Sequence, residues 1–180
     1  MNLFFVTEDS YKHYFGNRSR GYFLYTKGLK RRGESLAECY CLMHIKFKED
    51  DLVIDCGANY ADLWIYLKDK INKKNYITFE PGLEEHKCIK KNSKDGDHYN
   101  FGLGNKEEIS SLYQSSEGGD NSFLRPNEFT DIIPTKIITL EKWIERNNIK
   151  KIKLFKIEAE GFEPEVLEGA KNVLKIIEYI

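Results

Sequence analysis

From residue 51 onward the chain switches repeatedly between two hydrophobic periods. The short β-branched or aromatic runs DLVIDCG (51–57), NYITFEPG (75–82) and HYNFGLGN (98–105) read as strands, the first two stopped by glycine or proline. Behind the first, Leu63, Ile65, Tyr66, Leu67 and Ile71 recur at helical spacing within residues 59–71, and LEEHKCIKKNS (83–93) predicts a second, more polar helix. TKIITLEKWIERNNI (135–149) predicts a strand running into a helix. KIKLFKIEAEGFEPEVLEGAKNVL (151–174) repeats strand, glycine turn and helix, with Pro164 in the first helical turn and Val166, Leu167, Ala170, Val173 and Leu174 as an apolar stripe. Strands alternating with helices of this length need crossover connections, so the expected class is α/β, a mostly parallel sheet with helices on both faces.

Elsewhere the pattern is weaker. GYFLYTKG (21–28) predicts a short strand, and Leu36, Ala37, Tyr40, Cys41, Met43, His44 and Phe47 predict an amphipathic helix over residues 34–47. SLYQ (111–114) and NSFLRP (121–126) read as edge strands, with SSEGGD (115–120) as a turn-rich surface loop between them. This divides the chain into an extension, residues 1–49, packing on a core of residues 50–180. The apolar IIEYI (176–180) closes without capping residues, so the core is expected to be truncated after its fifth strand.

Composition narrows the chemistry. With 180 residues, 41% of them hydrophobic, one domain has an adequate core without staples. A formal net charge of −1 gives no case for an extended nucleic-acid or membrane surface and leaves small-molecule chemistry open. Cys39, Cys41, Cys56 and Cys88 include no pair at metal-knuckle or redox-motif spacing; they read as reduced thiols, with no metal site expected. The opening MNLFFVTEDS has neither a basic leader nor a long apolar core, and no run is long enough to span a bilayer, so a cytoplasmic location is expected.

The sharpest motif is VIDCGANYAD. An acid closes a buried strand, and Gly57 then lets the backbone turn into a helix start, so that a nucleotide-like ligand can lie against the main chain, with Asp55 and Asn59 as polar handles. A dinucleotide pyrophosphate needs three spaced glycines, and only Gly57 is present, so a cofactor without phosphates fits better and a nicotinamide enzyme is disfavoured. Glu80, at the end of the next strand, is placed to accept ribose hydroxyls. Lys156, Glu158 and Glu160 fall at period two; a Lys156–Glu158 pair would offset the cost of desolvation, and either glutamate is a candidate for substrate binding or proton abstraction. His13, His44, His86 and His98 read as structural or misplaced for a base, and Asn121 and Ser122 either border the cofactor or, the favoured reading, belong to a solvated loop.

DCGAN, the FEP turn, GLGN, ITLEKWI and KIEAEGFEPEVLEGA together resemble FkbM-type methyltransferases, in order, over residues 52–180. The resemblance implies a Rossmann-like methyltransferase fold and methyl transfer from S-adenosylmethionine, commonly to a hydroxyl of a sugar or related small metabolite. With that cofactor in place, contacts are expected at Asp55, Gly57, Ala58, Asn59, Glu80, Pro81 and Gly102, and catalytic roles at Lys156, Glu158 and Glu160. Ala61 stands where the family usually has glycine, and Glu141 and Glu158 where it usually has aspartate. The alternative these departures raise is a cofactor-binding remnant without turnover.

Overall fold

The computed structural model describes residues 3–115 and 120–180, so most of the SSEGGD segment lies outside the described residues. An antiparallel hairpin, β1 (Phe4–Glu8) and β2 (Tyr11–Phe15), leads into helices α1 (Arg18–Tyr25) and α2 (Leu29–Cys39). Then come β3 (Val53–Cys56), α3 (Asp62–Leu67), β4 (Tyr76–Phe79), α4 (Leu83–Asn92), β5 (His98–Tyr99) and β6 (Gly102–Leu103). The chain continues through β7 (Glu108–Gln114), β8 (Asp131–Ile138), α5 (Leu140–Asn147), β9 (Ile152–Ile157), α6 (Glu163–Glu168) and β10 (Ile177–Tyr179).

Five strands form an all-parallel sheet in the order β10-β9-β3-β4-β5. Period-two alternation sends its side chains into two cores. Ile54, Cys56, Ile77, Phe79 and Phe155 pack against Trp143 and Ile144 of α5 and Val166 of α6. Val53, Tyr76 and Leu154 pack against Ala37 of α2 and Leu63, Trp64 and Leu67 of α3. The expected α/β architecture, a parallel sheet covered on both faces, is therefore present; each large apolar side chain so buried contributes about 1.5–3 kcal/mol. A smaller sheet, β6-β8-β7, joins a parallel and an antiparallel pairing. A third cluster mixes Phe15, Tyr25 and Leu29 with Tyr60, Ile65 and Cys88, seating the N-terminal segment on the sheet-and-helix core.

Several local expectations are corrected. GYFLYTKG is not a strand but mostly α1: Asn17 caps it by accepting from the Arg20 amide at 2.9 Å, and the (i, i+4) pair Gly21 and Tyr25 is its buried face. Gly21 is needed there because a Cβ would lie 2.0 Å from the Phe15 ring. The helix expected over residues 34–47 instead starts at Leu29 and stops at Cys39; Cys41 is left-handed (φ 55°) and a short 3-10 turn, Leu42–His44, follows. Its buried positions, Leu29, Gly33 and Ala37, keep strict (i, i+4) spacing, which the later apolar residues do not continue. α3 is confined to six residues, and α6 ends before Ala170, Val173 and Leu174. The third strand is broken: His98–Tyr99 pairs with β4, whereas Gly102–Leu103 joins β8 in the other sheet. Asn100 causes the break by turning its side-chain amide to the carbonyls of Glu80 and Pro81, each at 3.0 Å. SLYQ lies within β7, but NSFLRP forms only an isolated bridge from Ser122 to Tyr113.

Candidate functional site

The chain builds β3, β4 and β5 outward in one direction, then returns to place β9 on the other flank of β3. That reversal opens a crevice at the carboxyl ends of the strands, where ligands bind in open α/β sheets. A cavity of about 300 Å³ lies there, walled by the residues following β3, β4 and β9 and closed from above by α1 and α2.

The floor is the turn after β3. Gly57 has φ 71°, its amide donates to the Phe79 carbonyl at 2.9 Å, and a Cβ would sit 1.7 Å from the Glu158 carbonyl oxygen. Only glycine fits, and the bare backbone is left as a cradle. Ala58 is buried beside it, and Asn59 (φ 51°) carries a buried Oδ1 without a hydrogen-bond partner among the described residues. Ala61, preceding α3, is left-handed too (φ 61°), which explains why glycine suits this position.

Glu80 continues directly from β4 and is 6% exposed. One carboxylate oxygen accepts from the Asn59 amide and the other from the Gly82 amide, both at 2.8 Å, so the turn after β3 and the turn after β4 are tied together. Each oxygen retains a further lone pair. Burial, reinforced by Glu85, pushes the Glu80 carboxyl up to about 8, because two amide hydrogen bonds and the more distant Lys156 compensate only in part. Pro81 lines the cavity next to it; Gly102 does not, its open face being filled by the Phe123 ring, and Leu103 takes the wall position.

Opposite Glu80 is a buried charge cluster. Asp55 and Lys156 are register partners on β3 and β9, with Lys156 Nζ 3.0 Å from Asp55 Oδ1. Tyr76 donates to Asp55 Oδ2 at 2.5 Å, and Lys156 also donates to the Gly57 carbonyl at 2.7 Å. The expected Lys156–Glu158 pair exists at 3.3 Å, but Asp55 is the nearer partner. Burial works against the Lys156 ammonium, yet Asp55, Tyr40 and Glu158 hold its proton more firmly than in water. Burial likewise opposes the Glu158 charge, and Lys156, the Tyr40 hydroxyl that donates to it and Arg32 nevertheless hold its carboxyl below the usual range. Glu160 differs: in a left-handed turn (φ 51°), it is pushed upward by partial burial and by Asp120 and Glu158. Buried Cys56 is inert at neutral pH, its thiol pushed up to about 12 mainly by burial.

The histidines lie elsewhere. His13 is fully buried, 2.9 Å from Asp62 Oδ1; His98 bridges Thr78 and the Ser93 carbonyl; burial holds His86 down at about 4. Asn121 lines the cavity, whereas the Ser122 hydroxyl holds the Glu160 carbonyl at 2.9 Å. Glu141 takes the side chain of Asn172 on the far side of α5.

Missed from sequence were Arg20, Arg32, Ser35 and Tyr40 of the N-terminal segment, all lining the cavity. Arg32, Ser35, Leu36 and Cys39 form a helical (i, i+3, i+4, i+7) stripe along α2, a signal present in the sequence but obscured by a helix expected five residues too late.

A model of the methyltransferase FkbM domain matches residues 55–180. The chain belongs to this family. The FkbM match begins at Asp55 and so includes Gly57, Glu80 and the Lys156–Glu160 segment, while the α1–α2 wall lies outside it. Comparisons with curated proteins and with solved structures find no match. At the level of the family, then, this is a methyltransferase domain with a small-molecule substrate. Among the described residues no group of acidic, His or Cys side chains is arranged to hold a metal ion, and no helix is long and apolar enough to cross a membrane.

Proposed function

We propose that this FkbM domain transfers a methyl group from S-adenosylmethionine to a hydroxyl oxygen of a sugar or related small hydroxylated metabolite, in the cytoplasm. One observation carries the reading: the Gly57 cradle and the buried Glu80 carboxyl group face one cavity at the sheet's switch point, whose wall also holds Glu158 and Glu160. Asp55, Gly57, Ala58, Asn59, Glu80 and Pro81 would hold the nucleoside. The spare lone pairs of Glu80 suit two ribose hydroxyls, and the unpartnered Asn59 Oδ1 suits a donor of the ligand. With Glu80 raised to about 8, the four other acids of the wall, Asp55, Asp62, Glu158 and Glu160, still outnumber its three cations, Arg20, Arg32 and Lys156, and favour a ligand with cationic character over a pyrophosphate.

The sulfonium supplies an activated methyl carbon, so the protein's part is to align the acceptor oxygen and exclude water, worth roughly 7–11 kcal/mol in favourable cases. Lys156 is a positioning residue: by holding Asp55, Glu158 and the Gly57 carbonyl it fixes the floor against the β9 end of the site. Glu158, already engaged by Lys156 and Tyr40, orients rather than abstracts. Glu160, with its carboxyl raised and its side chain in the cavity wall, would accept the hydroxyl proton as the C–O bond forms and the S–CH3 bond breaks, the sulfonium leaving as a neutral thioether.

The engagement of Glu158, together with the strained Ala61, supports a second reading, a cofactor-binding remnant without turnover. Incubating the full protein with methyl-labelled cofactor and a cell extract separates the two. Label on a small hydroxylated metabolite, abolished by Glu160→Gln, supports transfer; cofactor binding without labelled product supports the remnant; no binding of the cofactor by folded protein overturns both.

A further inference from the structure

Arg32 stands apart from the other charged groups of the cavity wall. Its Nε donates to Asp62 Oδ2 at 2.8 Å, and its side chain is 23% exposed. The other four guanidinium N–H groups have no partner among the described residues, and the residue lines the cavity. Asp62 is itself anchored from behind, its other oxygen taking Tyr25 at 2.7 Å and His13 at 2.9 Å. Arg32 is therefore held by one edge against a fixed carboxylate, with its outer fork left over. One turn along α2, Ser35 places a hydroxyl on the same wall.

The position along the cavity matters as much. Arg32 enters the cavity from α2, whose C-cap residue Tyr40 donates to Glu158 just past β9, whereas Glu80 is tied to the turns after β3 and β4 by the Asn59 and Gly82 amides. The guanidinium thus belongs to the α2 wall rather than to the β4 turn that carries the ribose acceptor, and its outer edge is free to meet the chain attached to the 5′ carbon of a nucleoside. Arg20, the other arginine in the wall, already gives a terminal nitrogen to Asp120 at 2.8 Å and has its Nε enclosed without a partner among the described residues.

We propose that the outer edge of Arg32, flanked by Ser35 and braced by Asp62, is the carboxylate grip of this cavity and holds the amino-acid end of the sulfonium cofactor. A planar guanidinium matches a carboxylate with two parallel hydrogen bonds, and a partly desolvated site strengthens them. The assignment rests on the S-adenosylmethionine reading above, but places a specificity residue outside the matched FkbM region: the N-terminal segment would distinguish the amino-acid-bearing cofactor from a bare nucleoside.

Isothermal calorimetry with two inert probes tests it. S-adenosylhomocysteine carries the amino-acid end; 5′-methylthioadenosine keeps the same nucleoside and thioether but lacks it. Arg32→Met is expected to weaken S-adenosylhomocysteine roughly ten- to a hundredfold and 5′-methylthioadenosine by less than about twofold. Arg32→Lys, which keeps a counter-charge for Asp62, guards against misfolding and should lose affinity only for S-adenosylhomocysteine, as should Ser35→Ala to a smaller degree. Arg20→Met should leave the ratio of the two affinities unchanged. Equal weakening of both probes by Arg32→Lys, no change in either, or a selective loss in Arg20→Met instead overturns the assignment while the nucleoside site stands. Wild-type protein that binds neither probe overturns the cofactor reading and this assignment together.

Discussion

Glu80 and Asp62 are both buried carboxyl groups, and their surroundings drive them in opposite directions. Glu80 has amide donors but no adjacent cation among the described residues, so burial, with Glu85, raises its carboxyl to about 8. Asp62, equally enclosed, is held well below the usual range despite burial because His13, Arg32 and Tyr25 all favour its charge. The consequences for stability have opposite signs. The raised Glu80 makes the unfolded chain lose its proton first, so this group's contribution to stability falls as pH rises from about 4.5 to about 8, and Glu80→Gln should remove that slope from chemical-denaturation curves. Asp62 contributes stability above its ordinary value near 3.8, and this is lost progressively as pH falls below it. Binding reports on Glu80 as well. If ribose hydroxyls donate to the ionised carboxylate, the affinity for S-adenosylhomocysteine should rise by up to about tenfold per pH unit as pH approaches 8, then level off, with proton release on binding. Titrations in buffers of differing ionisation enthalpy would detect that release, and a flat profile would remove Glu80 from the nucleoside contacts.

At the scale of elements, the turn between β3 and α3 carries two left-handed positions with different tolerances. Gly57→Ala places a methyl group on the Glu158 carbonyl as well as in a disfavoured backbone region, so it should cost at least about 1–3 kcal/mol and eliminate nucleoside binding. Ala61→Gly relieves the same backbone strain but removes a fully buried methyl, and should therefore lie within about 1 kcal/mol of neutral; urea unfolding measures both. Across β3 and β9, Lys156→Met leaves the Asp55 carboxylate buried with only the Tyr76 hydroxyl. A loss of about 3–5 kcal/mol is expected, largely recovered by adding Asp55→Asn. Should the single variant cost less than about 1 kcal/mol, the buried pair does not hold the strands as described. Locally, these elements were legible in the sequence: the strand ends, the Gly57 corner and the Pro164 helix start all depend on residues near one another. α1 was not, because its aromatic-rich run also satisfies a strand pattern until Asn17 and the Phe15 ring choose the helix.

Over the whole molecule, the N-terminal segment and the FkbM-matched region share a core and a polar network. Phe15, Tyr25 and Leu29 pack with Tyr60, Ile65 and Cys88, while Asn92 of α4 bonds the backbone of Tyr14 and of Tyr60. Removing residues 1–49 would expose that cluster and strip Asp62 of His13, Tyr25 and Arg32. The remaining chain should lose cooperative thermal unfolding and bind no nucleoside, and a sharp transition with intact binding would show the core to be independent. By itself, the sequence determined the α/β alternation, the position of the glycine corner and the acids that end successive strands, because periodicity, β-branching and turn chemistry act over a few residues. Tertiary structure decided what those residues touch. Strand register gave Lys156 to Asp55 before Glu158, the Asn100 turn divided one expected strand between two sheets, and the packing of α2 on α3 brought Arg32 and Tyr40 over the cavity. Those partners lie far apart along the chain, and only the register and packing of whole elements bring them together.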